Sequence, residues 1–281
     1  MSIAARHLAG LEQPADIGQS TVNEYVEQVS IPGSVPLTPT AVAITGGAGG
    51  IGRAIARRVI ADGERAVLLD LRGADIDDAL LELGDNSHGV VCDVTDPHAV
   101  AEAAVHVNTE LGPVRAVVAA AGWAQRGAFL GSPSSLWQRI LDVNLLGVMN
   151  VTEAFAASLL EYGENARLVF VSSDAARIGV RDLAVYAAAK AGVNGFARSF
   201  ALETARAGLT VNVVSAGSTD APMLTEAYTP EEIEKRQRAN PVGRLASPDD
   251  IASAVAHFLR SDASYLTGQI LSVNGGTFRP C

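Results

Sequence analysis

From Thr40 onward the chain repeats one pattern: a short run of consecutive apolar residues, a polar or glycine-rich break, then apolar positions three and four apart. The apolar runs lie at 41–45, 66–70, 89–93, 114–120, 168–173, 210–215 and 269–273. They are rich in Val and Leu and do not alternate, which fits strands covered on both faces, as in a parallel sheet. Helical periodicity appears at 51–61, 97–111, 135–160, 187–207 and 248–259. Seven strands with helices between them predict an α/β fold, a single doubly wound parallel seven-stranded sheet with helices on both faces. A chain of 281 residues holds one such domain and little more.

The first 38 residues read differently. Pro14, Pro32 and Pro36 punctuate them, and Val22, Tyr25, Val26 and Val29 form a short apolar stripe behind a Ser20-Thr21 cap. The expectation is a partly ordered N-terminal extension over 1–38, folded on its own subunit or packed as an arm on a neighbour. The catalytic domain then spans 39–281. Within it, a stretch at about 218–245, centred on 222–241, reads as a mobile lid of one or two helices.

Composition narrows the function classes. With 48% hydrophobic and 19% charged residues, the chain is too apolar for disorder. No uninterrupted apolar run approaches the ~20 residues of a bilayer span. The opening MSIAARHLAG lacks the apolar core of a signal peptide, so a cytoplasmic location without membrane partners is expected. The net charge of −10, with no basic cluster, argues against nucleic acid as a partner. Cys92 and Cys281 are isolated thiols and the five histidines are scattered, so no metal site is expected.

The strongest chemical signal follows the first strand. In 45–52, TGGAGGIG, glycines allow a tight turn and a close approach to a pyrophosphate, and the helix start offers free N–H groups and a positive dipole end. Strand before and helix after make this a Rossmann-type dinucleotide loop, with Gly46, Gly49, Gly50, Ile51 and Gly52 as its binding residues. Asp70 ends the second strand, 18 positions past Gly52, where a carboxylate bonds the adenosine ribose and repels a 2′-phosphate. NAD is therefore expected rather than NADP, with Arg72 the competing observation.

Tyr186 and Lys190 stand four apart at the start of a predicted helix and so share a face. An ammonium beside the phenol is expected to lower its pKa, suiting it to exchange a proton with an alcohol or ketone. Ser173 ends the fifth strand, where its hydroxyl can bond a substrate oxygen, while Ser172 should point away. Asn144 sits mid-helix, a poor place for Asn unless its side chain has partners. It is read as holding a water that links Lys190 to solvent.

Taken together, these residues resemble the short-chain dehydrogenase/reductase family, from Thr40 to about Gly276. The loop matches the family's TGxxxGxG, and Asn144, Ser173, Tyr186 and Lys190 match its catalytic tetrad. The resemblance implies that Tyr186 exchanges the proton, Ser173 positions the substrate oxygen, Lys190 bonds the nicotinamide ribose and Asn144 completes a proton relay. It also implies cofactor contacts at Asp93, Val94, Ala120, Gly122, Gly217 and Thr219, and a homotetramer. Departures are 119–122, AAAG in place of NNAG, and Ala216-Gly217 in place of PG. The first puts some sheet-bracing hydrogen bonds in doubt.

Substrate choice should lie in loops at the strand ends. Trp123, Asp174 and Met223 are the pocket candidates, with Gln125 and Arg177 nearby. Several of these loops resemble the alicyclic hydroxyacyl-CoA dehydrogenase branch. The leading expectation is an NAD-dependent oxidoreductase of a small-molecule secondary alcohol or ketone, cyclic ones included. The alternatives are a biosynthetic 3-oxoacyl-thioester reductase and a non-catalytic NAD-binding sensor or scaffold.

Overall fold

The structure is a computed structural model and describes residues 40–279. The extension over 1–38, with the stripe at 22–29, and Cys281 lie outside the described residues. One sheet contains β1 (Ala41–Thr45), β2 (Arg65–Asp70), β3 (Ser87–Val91), β4 (Val114–Ala119), β5 (Arg167–Ser173), β6 (Thr210–Ala216) and β7 (Ile270–Val273). Its order is β3-β2-β1-β4-β5-β6-β7 and every pairing is parallel. The order reverses between β1 and β4, so a crevice opens at their carboxyl ends, where open α/β sheets bind ligands.

The connecting helices among the described residues are α1 (Gly50–Ala61), α2 (Gly73–Leu83), α3 (Pro97–His106), α4 (Ser134–Leu141), α5 (Gly147–Tyr162), α6 (Ala175–Ile178), α7 (Ala184–Thr204), α8 (Pro222–Ala227), α9 (Pro230–Ala239) and α10 (Pro248–Leu259). Successive strand residues face opposite ways, and both faces are apolar. Leu168 and Phe170 of β5 enter one layer with Val100, Phe155 and Val193 from α3, α5 and α7. Val169 and Val171 enter the other with Ile55, Ile76 and Ile251 from α1, α2 and α10. The non-alternating strands follow from this double cover.

Three differences from the sequence-based expectation have physical causes. Helix α2 carries a readable stripe, Ile76, Ala79, Leu80 and Leu83, but starts on Gly-Ala-Asp with no capping side chain to announce it. β3 begins two residues earlier than the apolar run. It is an edge strand, and a Cβ on Gly89 would lie 2.2 Å from Ile76 Cγ2, so the glycine is there to let α2 approach. The long helix expected over 135–160 is α4 and α5 joined by a π-helical turn at Asp142–Leu146. Another such turn, Val107–Leu111, extends α3.

By length and composition the stretch 134–165 reaches the threshold of a membrane-crossing helix, although no run of apolar residues in it is continuous. Its Val148, Val151, Phe155 and Leu159 are buried against the sheet, the position of a core helix.

Candidate active site

The loop after β1 folds back on itself before α1 begins. Gly46 has φ +64°, and a Cβ there would stand 2.9 Å from the Ala121 backbone. A Cβ on Gly52 would stand 2.1 Å from the Gly46 carbonyl oxygen. These two glycines are therefore required by the loop's own packing. Gly49 caps α1 without a side-chain hydrogen bond, and the first turn, with Gly50 and Ile51, holds no acidic residue. The turn's N–H groups are left to an anion, so the residues present fit a dinucleotide pyrophosphate.

Asp70 faces this loop. Its Oδ2 accepts from the Ala48 N–H at 3.0 Å and its Oδ1 from the Leu71 N–H at 2.8 Å. Arg72, the competing cation, is 76% exposed in its side chain and pairs with Asp75 at 2.5 Å. Sequence reasoning missed Arg53, whose Nε donates to the Ala48 carbonyl at 2.7 Å and clamps the loop from below. Farther along, the Asp93 carboxylate accepts from the Thr95 N–H and hydroxyl. Val94 is buried against Gly147, and its carbonyl accepts from Asn150 Nδ2 at 2.9 Å.

At the end of β4, Ala120 N–H donates to the Thr45 carbonyl and Ala121 N–H to the Thr45 hydroxyl, both at 3.2 Å. Thr45 thus supplies bracing across the sheet at the segment that lacks asparagines. Asn144 is fully buried in the π-helical turn. Its Oδ1 accepts from Trp123 N–H at 3.2 Å, and its Nδ2 donates to the carbonyls of Trp123 at 2.6 Å and Ile140 at 2.9 Å. The side chain thus braces the loop at 121–123.

Gly122 is the point on which the site converges. A Cβ there would lie 3.1 Å from Asn144 Oδ1, 3.5 Å from Lys190 Nζ and 3.9 Å from Met223 Cε. Lys190 is buried, donates to the Val171 carbonyl at 2.9 Å, and stands 5.9 Å from the centre of the Tyr186 ring. Ser172 donates to the Lys190 carbonyl inside the core. Ser173, the next residue, turns the other way, towards Tyr186, and its hydroxyl accepts from the Ala175 N–H at 3.2 Å.

The electrostatics differ from expectation. Burial pushes the Tyr186 phenol up to about 12; the Ser173 hydroxyl opposes the shift and the Tyr228 phenol adds to it. Lys190 is itself pushed down to about 8 by burial. The expected lowering of the phenol by the ammonium is overridden, because desolvation penalises the charged form of both groups. Tyr186 accordingly keeps its proton across the neutral range.

The other candidates divide. Asp174 is buried, its Oδ1 accepting from Ser215 Oγ at 2.6 Å and Ser272 Oγ at 2.9 Å, and its Oδ2 from Asn274 Nδ2 at 2.5 Å. It ties β5 to β6 and β7 behind Ser173, which corrects its reading as a pocket wall. Arg177 likewise turns to Ser272 and the Phe278 ring. Gly217 packs against Asn274, where a Cβ would come within 2.9 Å of Asn274 Cα. The Thr219 hydroxyl donates to the Gly217 carbonyl at 3.1 Å. Trp123 lies under the Arg139 guanidinium, and Met223 is 40% exposed.

Above the crevice, α8 and α9 bury none of their own residues. They are held instead by Arg126, which the sequence did not single out. Its guanidinium donates to Glu232 at 3.1 Å and to the Ala227 carbonyl at 3.2 Å, lies 3.6 Å from Asp182 and stacks 4.3 Å from the Tyr228 ring centre. Arg236 covers that ring's other face at 3.8 Å. Among the described residues no group of three or more His, Cys, Asp or Glu side chains is placed to hold a metal.

Comparison with known proteins agrees with this geometry. A family model described as enoyl-(acyl carrier protein) reductase matches residues 46–277. The 3-oxoacyl-[acyl-carrier-protein] reductase MabA of Mycobacterium tuberculosis is 34% identical over 241 residues, 86% of this chain and 94% of that protein. Its counterpart FabG of Escherichia coli is 34% identical over 238 residues, 84% and 96% of the two chains. Among solved structures, a single-substitution variant of actinorhodin polyketide ketoreductase with NADPH superposes with a TM-score of 0.81 at 32% identity, covering 85% of this chain and 97% of that one.

Proposed function

The chain belongs to the short-chain dehydrogenase/reductase family, and we propose that it reduces the ketone of a 3-oxoacyl thioester to the secondary alcohol with NADH. It is an oxidoreductase of carbonyl and hydroxyl groups. The observation that carries the proposal is the half-buried phenol of Tyr186, pushed up in pKa so that it holds its proton, next to Ser173 and with Lys190 Nζ 5.9 Å from its ring centre, on the ligand-binding end of the sheet. A protonated phenol is the form needed to donate to an oxygen that gains negative charge as a ketone is reduced. Ser173 is the hydrogen-bond donor that fixes that oxygen.

The residues that would hold the cofactor lie along the crevice. Gly46, Gly49, Gly50, Ile51 and Gly52 would take the pyrophosphate and Asp70 the adenosine ribose. Asp93 and Val94 would flank the adenine, with Ala120, Gly122, Gly217 and Thr219 along the nicotinamide half. Tyr186 and Lys190 would meet the nicotinamide ribose. When bound, the nicotinamide supplies the hydride. Lys190 keeps a cation near the phenol, which stabilises the phenolate left once the proton has passed to the substrate oxygen.

Sequence reading alone ranks a simple secondary alcohol or ketone first. The relatives move the weight to a thioester substrate, because reductases of 3-oxoacyl groups match nearly the whole length at about one-third identity. The cofactor assignment rests on Asp70, whose carboxylate lies against the glycine loop where a 2′-phosphate would meet it. The proposal includes a homotetramer in the cytoplasm.

The test is reduction of acetoacetyl-CoA with NADH and with NADPH, beside cyclohexanone and cyclohexanol run in both directions. The proposal expects the thioester to be reduced with the higher kcat/KM and NADH to be preferred. Turnover confined to the cyclic alcohol would restore the alicyclic dehydrogenase reading. Cofactor binding without turnover of any compound would restore the sensor.

A further inference from the structure

Tyr186 is the third residue of α7, and that helix starts without a side-chain cap: Leu183, at its N-cap, makes no such hydrogen bond. The start is set instead by the turn before it. Leu183 N–H donates to the Val180 carbonyl at 3.2 Å, closing a turn over 180–183 with Asp182 as its third residue. Asp182 has φ +66°, the one positive φ outside glycine among the described residues. L residues rarely adopt that conformation, although Asp and Asn tolerate it better than most. A strained backbone is thus held one turn before the phenol that gives up the proton.

Two consecutive residues of the loop after β4 grip Asp182. Gly127 N–H donates to its carbonyl at 3.0 Å, and the Arg126 guanidinium lies 3.6 Å from its carboxylate. Arg181 lies 3.9 Å from the same carboxylate, but its side chain is 95% exposed and too solvated to add much. Arg126 also anchors α8 and α9, bonded to Glu232 and the Ala227 carbonyl and stacked on Tyr228. Asp182 therefore joins three parts of the site. Its φ sets the turn that carries Tyr186, its carbonyl meets the loop after β4, and its carboxylate faces the cation that seats α8 and α9.

We propose that Asp182 is a positioning residue for the reduction: its backbone places the Tyr186 hydroxyl, and its carboxylate, through Arg126, steadies α8 and α9 over the substrate. On the ketone-reductase reading, on which this inference rests, the first role acts on kcat and the second on KM. A shift of the phenol by ~1 Å is enough to lower the rate by about tenfold or more. The two roles separate by residue type. Glycine accepts a positive φ and lacks the carboxylate. Valine lacks the carboxylate too, but its branched Cβ resists that φ. Asparagine tolerates the angle and keeps an oxygen facing Arg126. The difference between glycine and valine is therefore the backbone's, and that between aspartate and glycine the carboxylate's.

Reduction of acetoacetyl-CoA with the nicotinamide the parent prefers tests both roles, with kcat taken per cofactor site counted by fluorescence titration of the reduced nicotinamide. Asp182→Gly is expected to keep kcat within about twofold and to raise KM by about threefold. Asp182→Asn should recover most of that KM. Asp182→Val should raise KM as glycine does and also lower kcat by about tenfold or more. Asp182→Ala, which resists the positive φ less strongly, should fall between glycine and valine, and it carries the comparison if the valine variant does not fold. A merely structural role would lower the number of cofactor sites or the urea midpoint and leave kcat per site equal throughout. Equal kcat per site in the glycine, alanine and valine variants overturns the backbone role, and a parental KM in Asp182→Gly overturns the carboxylate role. Both results in an active parent overturn the assignment and leave the reductase intact. A parent that reduces neither acetoacetyl-CoA nor cyclohexanone overturns the reductase reading, and this assignment with it.

Discussion

Replacing Lys190 with methionine should stabilise the protein while ending its catalysis. The amine is 3% exposed, its hydrogen bond goes to the Val171 carbonyl, and burial lowers its pKa from 10.5 to about 8. Keeping it charged at pH 7 therefore costs the native state about 3 kcal/mol, at ~1.4 kcal/mol per pH unit between the two values. Unfolded chain holds the proton up to pH 10.5 and native protein only to about 8. Between those values the unfolded state binds more protons, so the penalty is full below pH 8 and fades as pH rises. Methionine has a similar length and no charge, and it removes the penalty. Urea unfolding of cofactor-free parent and variant should show the variant ahead by about 1–2 kcal/mol at pH 7, because the Val171 carbonyl loses its donor, and that gap should narrow by about 2 kcal/mol by pH 9.5. Cys92 and Tyr186, both pushed up by burial, titrate in either protein and cancel from the difference. A variant less stable than the parent at pH 7, or a gap independent of pH, would refute the claim that a desolvated cation sits under Tyr186.

Three further outcomes follow from named contacts. Asp70→Ser removes the carboxylate that faces the glycine loop and should raise kcat/KM with NADPH by about tenfold or more relative to NADH; an unchanged ratio contradicts the charge argument. Arg126→Ala removes an ion pair to Glu232 and the stack on Tyr228. These contacts help seat α8 and α9, so KM should rise by several-fold with kcat less affected, and an unchanged KM would deny those helices a part in binding. Phe155→Ala hollows the layer between β4 and α5 and should cost about 3–5 kcal/mol in urea unfolding without altering kcat per folded molecule; a loss under about 1 kcal/mol would contradict the burial.

The sheet was legible because its strands are covered on both faces, so their apolar runs stand out from any other segment. β3 was the exception, since an edge strand under a closely packed helix needs a glycine where the pattern expects a large side chain. The glycine loop and tetrad were legible because each needs particular residue types at fixed spacing. What those groups do to one another was not. Spacing places Lys190 beside Tyr186, but only the folded environment reveals that desolvation dominates both groups. Asn144 was readable as a polar group needing partners, whereas its partners, Trp123 and Ile140, depend on a π-helical turn that no local periodicity marks. Arg126 carried no signal because its bond to Glu232 reaches across 106 positions of chain.

Substituting Tyr186 by phenylalanine tests the central claim most directly, because it deletes one hydroxyl from a ring whose packing is kept. With acetoacetyl-CoA as substrate, kcat should fall by about three orders of magnitude or more, while NADH binding, followed by its fluorescence, stays within about threefold of the parent. Retention of more than a tenth of the parental kcat would contradict the account, since the proton would then reach the substrate oxygen from another group.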